Sequence, residues 1–124
     1  MNVVDSSGWL EYFANGANAS LFAPAIEDVG LLIVPTITIV EVFRRTYQQR
    51  TEAEAVQVAA VMRRGRVVDL DFTLAATAGK LGVDNKLPLA DSIILTTARA
   101  HGATLWTQDA DFDGLPDVRY FPKR

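Results

Sequence analysis

The chain contains no cysteine, so disulfides and thiolate-bound metals play no part in its fold or chemistry. It has a single histidine, His101. Imidazole-rich zinc sites and Ser-His-Asp triads therefore find little support. No apolar run approaches the roughly eighteen residues of a membrane span. The opening MNVVDSSGWLEYF lacks the basic start and long apolar stretch of a signal peptide. A soluble cytoplasmic protein, with no membrane partner, is the expectation. Any metal has only oxygen to hold it, which points to Mg²⁺ or Mn²⁺.

Positive charge is also in short supply. The net charge of −3 gives no overall attraction to nucleic acid. Its distribution is uneven, however. Six of the twelve basic residues lie between Arg44 and Arg66, whereas Asp109, Asp111, Asp113 and Asp117 crowd near the C-terminus. The 124 residues suit one domain spanning 1–124, and an apolar fraction of 49% supplies its core.

Short apolar runs alternate with helical patterns. MNVV, LLIVP (31–35), RVVDL (66–70), ATLWT (103–107) and VRYF (118–121) read as strands. Between them, a helix runs from a cap in DSSG to Phe13, and TITIVEVFRRTYQQ follows Pro35 as another. TEAEAVQVAAVMRR is capped by Thr51, with Glu54 in the capping-box position. TLAATAGKLG is expected to close at Gly82, and Pro88 to open a helix that ends near His101-Gly102. This alternation predicts an α/β fold with a mainly parallel sheet covered on both faces. Ligands in such sheets bind beyond the carboxyl ends of the strands.

Four acids fall at telling positions, and each has an ordinary explanation. Asp5 follows the first strand and suits a helix N-cap. Glu41 precedes Arg45 by four residues, the favourable order for a surface ion pair. Asp91 lies in a helix start, where the macrodipole favours an anion. Yet it shares its face with Leu87, Ile94, Leu95 and Ala98, which the dipole does not explain. Asp109 reads as a turn acid. Together, the four can converge on one edge of a parallel sheet. Carboxylates gathered there raise one another's pKa unless a divalent cation neutralises them.

DADFDG (109–114) imitates the start of an EF-hand, but position twelve is Tyr120 instead of Glu, and the run follows a strand. Trp9 and Trp106 read as core, and His101 as a partner of its helix dipole. Arg44, Arg45, Arg63 and Arg64 read as a solvated face, with a phosphate-contacting rim as the alternative beside an acidic site.

VVDSS, TIVEV, LPLADSIILTTA and TLWTQDADF, in this order and spacing, resemble the PIN-domain nucleases, in particular the VapC-type toxins of toxin–antitoxin pairs. The resemblance spans the chain and implies a three-layer α/β/α fold. It places the family's acids on Asp5, Glu41, Asp91 and Asp109, with Asp111 as a possible extra acid. Ser6 and Thr107 take the places of its supporting hydroxyls. It further implies a Mg²⁺- or Mn²⁺-dependent endoribonuclease with an RNA substrate, a homodimeric state and a cognate antitoxin. The alternatives are a PIN nuclease of RNA processing or DNA cleavage, a non-catalytic binding module, and a receiver-like Mg²⁺-binding signalling domain. The last needs a lysine after a late strand, whereas Lys80 and Lys86 lie in or near a helix.

Overall fold

The computed structural model describes residues 1–124. In chain order the elements are β1 (Asn2–Val4), α1 (Ser6–Phe13), α2 (Ala19–Glu27), β2 (Leu32–Pro35), α3 (Thr36–Gln49), α4 (Glu52–Met62), β3 (Arg66–Val68), α5 (Phe72–Asn85), α6 (Leu89–Ala100), β4 (Thr104–Thr107) and β5 (Val118–Tyr120). Single 3₁₀ turns precede β2 and follow β4. All strand pairings are parallel, in the order β3-β2-β1-β4-β5.

Successive strand residues point to opposite faces, and the core divides accordingly. Val4, Leu32, Val34 and Trp106 pack with Trp9, Phe22, Val42 and Met62 beneath α1–α4. Val3, Ile33 and Leu105 pack with Ile94, Leu95, Ala98 and Phe112 beneath α6. The result is the expected three-layer α/β/α arrangement. Both tryptophans are core residues, as expected.

The order also fixes where a site belongs. From β1 the chain builds outward through β2 and β3, then returns to add β4 and β5 on the other side. The sheet's topological switch point is therefore between β1 and β4, where a crevice opens beyond the strand ends. Asp5 directly follows β1, and Asp109 lies just past β4.

Two features differ from the sequence reading. Helix α2 carries Pro24 within it and was not anticipated. Gly82 does not close α5. The helix continues to Asn85, and Lys86 at φ 55° supplies the left-handed cap. Gly82 is instead buried against α6, where a Cβ would stand 2.3 Å from Ser92 Oγ. Its missing side chain permits helix–helix approach, a different use of glycine from the C-terminal stop.

Several local expectations are met. Thr51 Oγ1 accepts the Glu54 N–H at 3.1 Å. His101 ends α6 with Nδ1 2.9 Å from the Thr97 carbonyl. No helix is long and apolar enough to cross a membrane.

Candidate active site

Asp5 is an N-cap and more. Its Oδ1 accepts the Gly8 N–H at 3.0 Å and the Ser7 hydroxyl at 2.7 Å, and its Oδ2 accepts the Thr107 hydroxyl at 2.6 Å. The residue is 2% exposed. Burial pushes its pKa up to about 6, against the three hydrogen bonds, which favour the charged form; the Asp109 charge adds to the rise.

Thr107 ties two acids together. While its hydroxyl donates to Asp5, the same oxygen accepts the Asp109 N–H at 2.9 Å. The spacing of Thr107 and Asp109 thus carries the geometry across the switch point. Asp109 Oδ1 in turn accepts the Asp111 N–H at 3.0 Å, which holds the following 3₁₀ turn. That turn buries Phe112 in the core, so DADFDG forms a compact turn and no EF-hand loop.

Glu41 makes no ion pair with Arg45. Its Oε1 accepts the Ser6 hydroxyl at 2.5 Å, so the hydroxyl after the first acid positions the acid on α3. The anticipated surface pair gives way because Glu41 turns toward α1.

Asp91 stands in the first turn of α6, as the dipole argument requires. It is half-buried, and its pKa is pushed up to about 7. Desolvation is the largest cause, followed by the charges of Asp109, Asp5, Glu41 and Asp111. All four sequence-predicted acids are therefore gathered, with Asp91 facing the other three and Asp111. Carboxylate oxygens of Asp91, Asp109 and Asp111 lie within 4.8 Å of one another. Asp5 and Glu41 stand outside this tight triad, held by hydroxyl donors. No lysine or arginine pairs with any of the five; the ion pairs are Arg50–Glu54, Lys80–Asp84 and Arg99–Asp117.

An all-oxygen triad with uncompensated negative charge fits a hard divalent cation, which takes carboxylates and keeps several waters. Asp91, Asp109 and Asp111 are the residues arranged to touch it.

Residues that sequence reasoning missed surround this set. Ser7, considered only as a cap, donates to Asp5 and accepts the Gln108 N–H at 3.3 Å. Buried Asn18 donates from Nδ2 to Gln108 Oε1 at 3.1 Å and to the Pro122 carbonyl at 3.0 Å. Gln108 lies between two recognisable residues, but nothing in the sequence links it to Asn18, ninety positions away.

The PIN domain family matches residues 3–118. No curated protein matches the chain at a significant level. Among solved structures, a toxin–antitoxin complex from Klebsiella pneumoniae is similar at 23% identity and TM-score 0.80, covering 96% of each chain. VapC20 of Mycobacterium tuberculosis, a Sarcin-Ricin loop cleaving toxin, is similar at 20% identity and TM-score 0.77, covering 96% of this chain and 99% of its own. VapBC2 from Rickettsia felis, bound to a DNA fragment from its promoter, is similar at 12% identity and TM-score 0.73, covering 98% and 97%. At these identities the structures speak to the fold. With the family match over nearly its whole length and the acids at the sheet's switch point, the chain belongs to the PIN domain family.

Proposed function

We propose that the protein is a Mg²⁺-dependent endoribonuclease, with Mn²⁺ as a substitute, and the toxin of a VapBC-type toxin–antitoxin pair. The observation that carries the nuclease reading is the convergence of Asp5, Glu41, Asp91, Asp109 and Asp111 with no protein cation among them. A scaffold that repels itself in this way gains from a metal ion and from nothing else on the chain.

Asp91, Asp109 and Asp111 would hold the ion. When bound, it supplies positive charge to a phosphodiester and acidifies a water. The chain's own residues then orient and exclude. Thr107 fixes the Asp5–Asp109 separation, and Ser6 fixes Glu41. Glu41, with only its Oε1 engaged, would accept the proton of the attacking water, and the leaving oxygen would take its proton from solvent water.

The receiver-like rival needs a lysine beside the acids. Lys80 instead binds Asp84 at 2.7 Å on the exposed side of α5, and Lys86 caps that helix.

The toxin role, the antitoxin partner and RNA as substrate are supported by the similar structures, among them a toxin–antitoxin complex, VapBC2 and a Sarcin-Ricin loop cleaving toxin. A homodimer is supported by apolar surface: Phe72 is 90% exposed and Val83 80% exposed, about three turns apart on one face of α5. Purified protein should cleave RNA in Mg²⁺ or Mn²⁺ and stop in EDTA, with Ca²⁺ a poor substitute because of its larger, looser coordination. Undiminished cleavage in chelator refutes metal dependence. Co-expression with a small gene beside its own should yield a stable, inactive complex; a complex cutting at the free enzyme's rate refutes inhibition.

A further inference from the structure

A groove of about 540 Å³ opens beside the acids, between α1 and the α3–α4 pair. Ser7, which donates to Asp5, and Gln108, the neighbour of Asp109, line it together with Arg45, Arg50 and Lys123, against an apolar wall of Leu10, Phe13 and Val58. The geometry points to this groove as the seat of the substrate strand flanking the scissile bond, with Arg45 and Lys123 contacting its phosphates and the Gln108 amide donating beside the acids. The inference rests on the nuclease reading and specifies how that site takes its substrate.

The orientation of Gln108 follows from Asn18. The Pro122 carbonyl carries no hydrogen, so the Asn18 amide must present Nδ2 to it, even though Asn18 Oδ1 is then buried without a partner. Gln108 Oε1 is thereby turned inward. Its planar carboxamide then directs Nε2 away from Asn18; that nitrogen has no protein acceptor and is not sealed from solvent. A donor held in advance spares the rotamer entropy of ordering a glutamine on binding. The same asparagine anchors Pro122, and Lys123 follows directly into the groove. Asn18 is thus a positioning residue for both groups.

Charge selects the occupant. Arg45 and Lys123 make no ion pair, whereas Arg50 approaches Glu54 at 3.9 Å. Glu11, the other acid of the groove, accepts the Asn18 N–H at 2.8 Å. The groove therefore offers two unpaired cations, Arg45 and Lys123, while Arg50 offsets Glu54 and Glu11 is turned to the Asn18 N–H. A phosphodiester backbone presents repeated anionic acceptors and matches that lining.

The test measures binding of a short single-stranded RNA by fluorescence anisotropy, with Mg²⁺, across a salt series. An Asp91→Asn background keeps the strand uncut. Arg45→Ala and Lys123→Ala should each weaken binding several-fold and make the slope of log affinity against log salt shallower by about 0.7, the value for one lost single-strand phosphate contact. Arg66→Ala, outside this groove, should leave both unchanged. Gln108→Glu keeps an acceptor for Asn18 but turns a carboxylate toward the strand. It should weaken binding at least as much as Arg45→Ala while circular dichroism shows it still folded; a purely structural Gln108 predicts the parent affinity in the folded variant.

Groove variants that bind like Arg66→Ala overturn the proposal. So does a groove whose variants release a co-expressed protein partner but retain RNA, which assigns it to the protein. Wild-type cleavage is assayed in parallel. A wild type that cuts no RNA refutes the nuclease reading and this inference with it, whereas cleavage with unchanged salt slopes refutes the groove assignment alone.

Discussion

Replacing Asp91 by Asn keeps the size of the side chain and removes its charge, and the structure sets two effects against each other. The first is the cost of ionising Asp91 in place. Its pKa is raised from 3.8 to about 7, by desolvation first and then by the neighbouring carboxylates. Retained in full, that rise corresponds to about 4 kcal/mol at 1.36 kcal/mol per pH unit. Asp91 is only half-buried, and solvent screening reduces this to about 1–2 kcal/mol. The second is the dipole of α6, which favours a first-turn anion by about 0.3–1 kcal/mol. Repulsion and desolvation win. At pH 8 without metal, Asp91→Asn should be more stable by about 1 kcal/mol, which raises the melting temperature by about 3–5 °C.

The sign follows from linkage. A carboxyl whose folded pKa is raised binds more protons folded than unfolded, so ionisation penalises the fold. The penalty is absent below about pH 4, grows as pH rises toward 7, and is full above it. The advantage of Asp91→Asn should therefore vanish near pH 4. The assay is a metal-free melting curve at several pH values beside the Mg²⁺-dependent cleavage rate, which should be nearly abolished. A fully active variant with a lowered melting temperature at pH 8 refutes the reasoning and returns Asp91 to the role of a helix-dipole acid.

Three further outcomes follow from the same geometry. Thr107→Val removes a donor from buried Asp5 and an acceptor from the Asp109 N–H; it should cost about 1–3 kcal/mol in thermal unfolding and lower cleavage markedly. Gly82→Ala drives a methyl group into Ser92; it should destabilise by about 1–3 kcal/mol and slow cleavage, because α6 also carries Asp91. Mn²⁺ affinity, followed by calorimetry, should rise with pH as Asp5 and Asp91 ionise around pH 6–7 and level off above; an affinity independent of pH from 5 to 8 contradicts the cluster's raised pKa values.

The legible part of this protein was the part with local signals. Apolar runs marked the strands, and their alternation with helices marked the layers. Asp5 and Asp109 were recognisable because each closely follows a strand. Thr107 was marked only by the family resemblance, and its actual work, bridging Asp109 to Asp5, requires the pairing of β1 with β4. Glu41 was ambiguous because Arg45 offered a local partner, and only packing of α1 on α3 decides for Ser6. Gly82 misled because a glycine near a helix end ordinarily stops it, and its packing against Ser92 is non-local. Helix α2 was obscured by Pro24. Asn18, which orders Gln108 and the C-terminal segment, had no local signature.

The most direct test of the acid cluster as a metal site is titration of the purified protein with Mn²⁺, read by calorimetry or by loss of the free-ion electron paramagnetic resonance signal. The wild type should bind with saturation, and Asp109→Asn, which removes a member of the triad while keeping its size, should lose most of that affinity and remain folded. No saturable binding by the wild type, or equal binding by a folded Asp109→Asn protein, would contradict the assignment.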